Sequence, residues 1–170
     1  VLDTTRGPTY DFAANICSAE WRSGRGYVPC LQTSEEGSGL VLLLNYPNTE
    51  AGIVAGPAIW AHPNESNTGW INGAYPRILI RSGDRFKSQI GCLSDSSDCA
   101  VIMQVEYETA DGMVWTLGQW YETYNGRLTT IDQDISFLAG QTVRFIFTVT
   151  VQNNQPLEAN AVWIYPRVEP

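Results

Sequence analysis

The chain has 170 residues, 44% of them hydrophobic and only 16% charged, with a net charge of −8. An acidic, thinly charged surface repels phosphate backbones and anionic lipid, which argues against nucleic acid and membrane surfaces as partners. The length is that of one domain, able to bury roughly two-thirds of the surface its unfolded chain exposes without help from a partner.

The first ten residues (VLDTTRGPTY) read as an extended, proline-containing arm, and residues 11–170 as the folded domain. Tyr10–Ala13 is a weak strand candidate, and Asn15–Trp21 would make one short helical turn. Thr33–Gly39 (TSEEGSG) reads as an exposed loop. A strand is expected at Leu40–Tyr46. Its Leu40–Leu44 portion is the longest apolar run and is far too short to cross a bilayer, so no membrane insertion is expected. His62–Gly69 (HPNESNTG) reads as a second exposed loop, and the sequon Asn64-Glu65-Ser66 in it would carry a glycan in a host that glycosylates.

Further strands are expected at Arg77–Arg81, Arg85–Gly91, Ala100–Glu108, Met113–Tyr121, Thr142–Val151 and Ala161–Val168. Ser82-Gly83-Asp84, Asn125-Gly126 and Ala139-Gly140 separate them as turns, and Asp111-Gly112 between two alternating runs signals a hairpin. The last quarter, Arg127 to Val168, is the clearest part. It reads as strand, turn, long alternating strand, polar loop and final strand. Val143, Phe145, Phe147, Val149 and Val151 form one wholly apolar face, while Thr142, Arg144, Ile146, Thr148 and Thr150 form a mostly polar one. In Ala100–Glu108, Val101, Met103, Val105 and Tyr107 are the inward set. In the next strand the period of two puts Trp115, Leu117, Gln119 and Tyr121 on one face and Thr116, Gly118, Trp120 and Glu122 on the other. No helical pattern exceeds two turns. The predicted architecture is therefore all-β, a single-domain antiparallel β-sandwich.

Cys17, Cys30, Cys92 and Cys99 lack metal-site spacing, and the chain has one histidine. Four cysteines permit three pairings. Cys17–Cys30 and Cys92–Cys99 are favoured over reduced thiols or a metal site, the second pair stapling the loop LSDSSD between two strands. Two disulfides imply an oxidising compartment, so the protein is expected to be secreted or at the cell surface, with Val1 as a mature start from which a leader was removed.

Three segments carry a family resemblance: TGWINGAYPRILIRSGDRFKSQIGC, WYETYNGRLTTIDQDISFLAG and AVWIYPRV. Their Gly-Asp-x-Phe strand start, the turn from Asp134 to Gln141 and the terminal Trp163-to-Arg167 motif resemble secreted galactose-binding-like β-sandwiches of jelly-roll type. Among these, the carbohydrate-binding modules attached to bacterial surface glycosidases are the type they resemble most. The resemblance implies a non-catalytic domain that binds a polysaccharide or glycan. It also implies a structural calcium ion, for which Asp95 and Asp98, or Asp132 and Asp134, are candidate oxygen donors. Neither pair fits a twelve-residue calcium loop, and aspartates at turns usually bond their own backbone.

The chain's six tryptophans, eight tyrosines and five phenylalanines suit such a ligand. A rigid indole packs on the apolar face of a sugar ring while neighbouring polar groups bond the hydroxyls. Trp60, Trp70 and Trp120 are the candidate platforms, with His62, Glu122, Tyr124 and Arg127 as polar partners. Trp21, Trp115 and Trp163 are expected in the core. Glycoside hydrolysis would need a carboxylate pair, for which Glu106, Glu108 and Glu122 are the candidates, but alternating glutamates on a strand are the ordinary wet face. A triad would have to use His62, and no Gly-x-Ser-x-Gly elbow is present. The alternative to a binding module is a subunit of an extracellular filament or surface layer, self-assembled by strand addition through the arm at 1–10.

Overall fold

The computed structural model describes residues 8–170. Its strands are β1 (Tyr10–Asp11), β2 (Glu20–Ser23), β3 (Gly26–Tyr27), β4 (Leu40–Leu44), β5 (Asn48–Thr49), β6 (Gly52–Ile53), β7 (Ala58–His62) and β8 (Trp70–Ala74). They continue as β9 (Ile78–Leu79), β10 (Arg85–Cys92), β11 (Ala100–Glu108), β12 (Val114–Thr123), β13 (Thr129–Asp134), β14 (Thr142–Val151) and β15 (Ala161–Glu169). The only helical pieces among the described residues are three 3-10 turns, at Ile16–Ser18, Ser136–Leu138 and Pro156–Glu158.

Two antiparallel sheets face each other. One runs β13-β10-β15-β7-β4, with β1 beside the end of β15. The other runs β12-β11-β14-β8-β2-β3, with β9 beside the start of β14. The expected all-β sandwich is the observed fold. The alternating face of β14 is the reason the sheets adhere: Val143, Phe145, Phe147, Val149 and Val151 are all buried. They meet Phe86 and Ile90 from β10 and Trp163 from β15. Phe12 sits at the centre of an aromatic cluster, 4.8 Å from Phe147 and 4.9 Å from Tyr75 between ring centroids. The Tyr75 hydroxyl reaches polar satisfaction by donating to the Phe12 carbonyl at 2.9 Å. Both disulfides form as favoured, Cys17–Cys30 and Cys92–Cys99.

Several local expectations change. The Asn15–Trp21 run divides into a single 3-10 turn and the start of β2, where Trp21 is buried and donates its indole N–H to Ile16 O at 2.9 Å. The tryptophan lies over Gly73, where a Cβ would come within 2.6 Å of its ring. β7 and β8 escape sequence reading because they are five residues long and rich in Ala, Gly and Asn, which carry little strand signal, and β2 because it is only four residues long. The loop expected at His62–Gly69 is partly structural. Asn64 is 5% exposed, and its Oδ1 accepts the backbone N–H groups of Gly24 and Trp70 at 2.9 and 3.1 Å. An amide so placed is closed to glycan attachment in the folded chain.

Of the arm expected at 1–10, residues 1–7 lie outside the described residues. Tyr10 and Asp11 pair with Val168 and Arg167 of their own domain.

Candidate functional site

The decisive local feature is a β-bulge in β12. Gly118 pairs with Val105 of β11, but Thr116, and not Leu117, pairs with Glu106. Leu117 is therefore an extra residue on the edge strand, and a slip of one exchanges the faces of everything beyond it. Gly118, Trp120 and Glu122 stand opposite Val105, Met103 and Val101, which are core residues, so these three face inward. Gln119 and Tyr121 face outward, with Tyr121 63% exposed. The period-of-two expectation is reversed here. Trp120 packs half-buried against the core and lies over Gly118, where a Cβ would come within 2.4 Å of the ring. It is no platform. Glu122 is buried, and burial pushes its carboxyl pKa up. A hydrogen bond with Thr129 opposes that shift, and nearby Glu50 reinforces it.

The other sequence candidates are dispersed. Trp60 lies on the outer face of its sheet between Leu42 and Val162, half-buried, its indole N–H enclosed without a partner among the described residues. Its ring meets His62 at 6.2 Å. His62 ends β7, with Nδ1 3.1 Å from Ala159 O, and burial holds its pKa below the usual imidazole value. Tyr124 donates to Ser94 O at 3.1 Å, which makes it part of the loop around Cys92–Cys99. Arg127 is exposed, its backbone N–H held by Asn125 Oδ1. Trp70 stands on the outer face of the other sheet.

A cleft lies at the end of the sandwich where the β11–β12 hairpin meets the β13–β14 connection. Trp115 lies before the bulge, on the inner side opposite Tyr107, but beyond the reach of the facing sheet. It was expected in the core and is 50% exposed. Phe137, from the 3-10 turn Ser136–Leu138, is 60% exposed and meets Tyr107 edge-to-face at 6.0 Å. The cleft between them is a shallow, open depression of about 480 Å³ bordered by Thr109, Asp111 and Gln141. Asp111 Oδ1 accepts the Thr109 hydroxyl at 2.5 Å and the Met113 N–H at 3.1 Å. These two bonds, the hydroxyl first, hold its carboxyl below the usual range. The side chain is thus a fixed anionic acceptor at the rim. Gly112, at φ = +83°, supplies the left-handed turn that brings it there. Sequence reading did not anticipate that Trp115 and Phe137 reach solvent here. The only signal for Phe137 was an aromatic in a turn segment with no alternating pattern, and for Trp115 there was none short of knowing the bulge.

A second aromatic surface is the outer face of the same sheet. Cross-strand pairing aligns Tyr121, Ile102, Thr150 and Trp70 in one row. Three strand spacings separate Tyr121 from Trp70, about 14 Å. Gln119, Gln104, Thr148 and Asn72 form the adjacent row.

The hydrolase pairing does not assemble. Glu106 and Glu108 lie on the outer face of β11 and Glu122 on the inner face of β12, with the sheet between them. Glu108 is held by Arg77 at 3.0 Å and Arg144 at 3.8 Å. The aspartates proposed for calcium are already engaged by other groups. Asp132 is bound by Arg85 at 2.6 Å, and Asp134 caps Ser136 N at 2.8 Å. Asp95 bonds Ser96, and Asp98 offers its carbonyl to Asn153. No group of three or more His, Cys, Asp or Glu side chains suited to a metal occurs among the described residues.

No protein-family model matches the chain, and no curated protein matches it in sequence. Solved structures do match in fold. TmCBM61 in complex with β-1,4-galactotriose superposes with a TM-score of 0.56 at 9% identity, over 96% of this chain and 98% of that one. A CBM51 from Clostridium perfringens GH95, in complex with methyl-galactose, gives 0.52 at 11% identity, over 94% and 98%. A structure described with the promiscuous carbohydrate-binding modules of the β-sandwich superfamily gives 0.53 at 8% identity, over 96% of this chain but 62% of that one. The fold is therefore that of the carbohydrate-binding-module β-sandwich, as the sequence resemblance implied.

Proposed function

We propose that this domain is an extracytoplasmic, non-catalytic glycan-binding module whose ligand sits in the cleft between Trp115 and Phe137. The observation that carries the reading is the pair of large aromatics held half or more in solvent beside an oriented carboxylate. A folded domain gains nothing from leaving a tryptophan and a phenylalanine so exposed, whereas a pyranose has an apolar face to cover them. The charged Asp111 and the exposed Gln141 amide would take the ring hydroxyls, leaving few polar groups unpaired on binding. The two disulfides support an oxidising compartment. Galactose units are the first ligands to try, because two of the similar structures hold β-1,4-galactotriose and methyl-galactose.

The row of Tyr121 and Trp70 favours a second reading, in which an extended polysaccharide lies across the outer face of the sheet over Gln104 and Gln119. Calorimetric titration with β-1,4-galactan, a neutral glucan and a polyuronate tests both. Under the first reading Trp115→Ala abolishes most of the affinity and Trp70→Ala does not. The second reading reverses that outcome. A domain that binds no glycan in the panel refutes the proposal.

A further inference from the structure

The opposite face of the sandwich carries a groove that the aromatic cleft does not account for. It lies on the outside of the five-strand path, across β13, β10 and β15, and encloses about 420 Å³. Its shape comes from a second bulge. Lys87 pairs with Arg167 and Gln89 with Ile164, so Ser88 alone stands against Tyr165 and Pro166. Ser88 is buried and fills the gap by donating to Ile164 O at 3.0 Å. Tyr165 is forced to φ = +44°, a left-handed conformation that a tyrosine seldom adopts. Its N–H is pinned to Pro57 O at 2.8 Å, which fixes the Gly56–Pro57 segment as the groove's far wall.

Within this frame the lining is chemically distinct from the rest of the surface. Lys87, the chain's one lysine, and Arg167 line the groove from adjacent strands. The Arg167 guanidinium stacks 4.2 Å above the Tyr165 ring. Both cations already converge on one carboxylate, Glu169: Lys87 Nζ at 3.0 Å and Arg167 Nε at 2.8 Å. The only carboxylate in the lining, Asp132, is taken by Arg85 at 2.6 Å. Gln89 and Thr130 complete the exposed rim. Lys87 and Arg167 thus present two donors to a single carboxylate position beside an aromatic ring, a geometry suited to holding a carboxylate.

We infer that this groove is a second saccharide site, selective for a carboxylated sugar such as a uronate, whose carboxylate is held by Lys87 and Arg167 while Gln89 and Thr130 at the rim take its hydroxyls. The ligand class rests on the glycan-binding reading, but the site and its charge selectivity do not depend on the aromatic cleft. Glu169 is then an internal competitor, occupying the donors that a ligand carboxylate would share.

That competition gives the test its sign. Trigalacturonate and its methyl ester are titrated against the intact domain at low and moderate salt. The free acid should bind at least tenfold more tightly than the ester, and less tightly as salt rises. Lys87→Met should cost roughly tenfold for the acid alone, the loss expected of one charge-assisted hydrogen bond. Glu169→Gln should tighten acid binding, and Trp115→Ala should leave it unchanged. Melting temperatures of each variant, with Lys87→Gln as a second substitution, separate lost binding from lost folding. Equal affinity for acid and ester, no binding of the acid, affinity that survives Lys87→Met, or weaker acid binding by a Glu169→Gln variant of unchanged stability would each overturn the proposal. Loss of neutral-glycan binding in Trp115→Ala reports separately on the other cleft.

Discussion

Replacing Trp115 with alanine separates the two tryptophans of β12 by a quantity the structure supplies. A tryptophan side chain presents roughly 150–250 Å², and Trp115 leaves 50% of itself in solvent, so about 100 Å² is available to a ligand. A sugar ring covering half to all of that removes about 50–100 Å² from water, worth about 1.3–2.5 kcal/mol at about 25 cal/mol per Å². The expected loss of affinity is about tenfold to seventyfold. Folding should suffer little, because the exposed half contributes nothing to the core. Trp120→Ala should behave oppositely, since that ring packs against Met103 and covers Gly118. It should lower the melting temperature and leave the affinity of the folded fraction intact. Calorimetric titration with the panel glycan bound most tightly, paired with thermal unfolding, reads both. Unchanged binding by the Trp115 variant, or a binding defect confined to the Trp120 variant, would refute the assignment of faces on which the site depends.

Burial raises the Glu122 pKa, so the folded state keeps its proton to higher pH than the unfolded one, and the associated stability is present in acid and lost as pH rises through and above the usual carboxylate range. Glu122→Gln should therefore raise the melting temperature at pH 7 and leave it nearly unchanged at pH 4, which parallel thermal scans will show. Loop-closure entropy assigns about 3 kcal/mol to Cys17–Cys30 and about 2.4 kcal/mol to Cys92–Cys99, from sequence separations of 13 and 7. Reduction should lower the melting temperature by about 10–20 °C in all, with the larger share from the first pair when each is replaced by serines. Gly118→Ala forces a methyl group into the Trp120 ring and should cost about 1–3 kcal/mol, measured by urea unfolding.

The parts of the fold that could be read in the sequence were those where one face is dry and the other wet. β11 and β14 have the ends that their alternation predicts, because Val101, Met103 and Val105 and the Val143–Val151 set are buried across a whole inter-sheet contact. Asp111-Gly112 fixed the hairpin for a reason equally local. β7 and β8 could not be read this way. Trp70-Ile71-Asn72-Gly73-Ala74 becomes a strand only because β14 and β2 flank it, a tertiary cause without a local trace. The site followed the same division. Aromatic content raised the expectation of a stacking surface, but which aromatics reach solvent depends on registry, and registry in β12 turns on one unpaired leucine. Phe137 escaped for another reason: it is carried by a single 3-10 turn whose orientation is set by Ile135 and Leu138, both buried beneath it.

The extra leucine has an evolutionary corollary. β12 hydrogen-bonds to one neighbour, so inserting or deleting a residue within it disturbs a single ladder. Such an event would exchange Tyr121 for Trp120 as the ring presented to the surroundings without altering a letter elsewhere. The outward face of this edge strand can therefore drift by changes in strand length as readily as by substitution, and chains that differ by one codon here can display different side chains from nearly identical text.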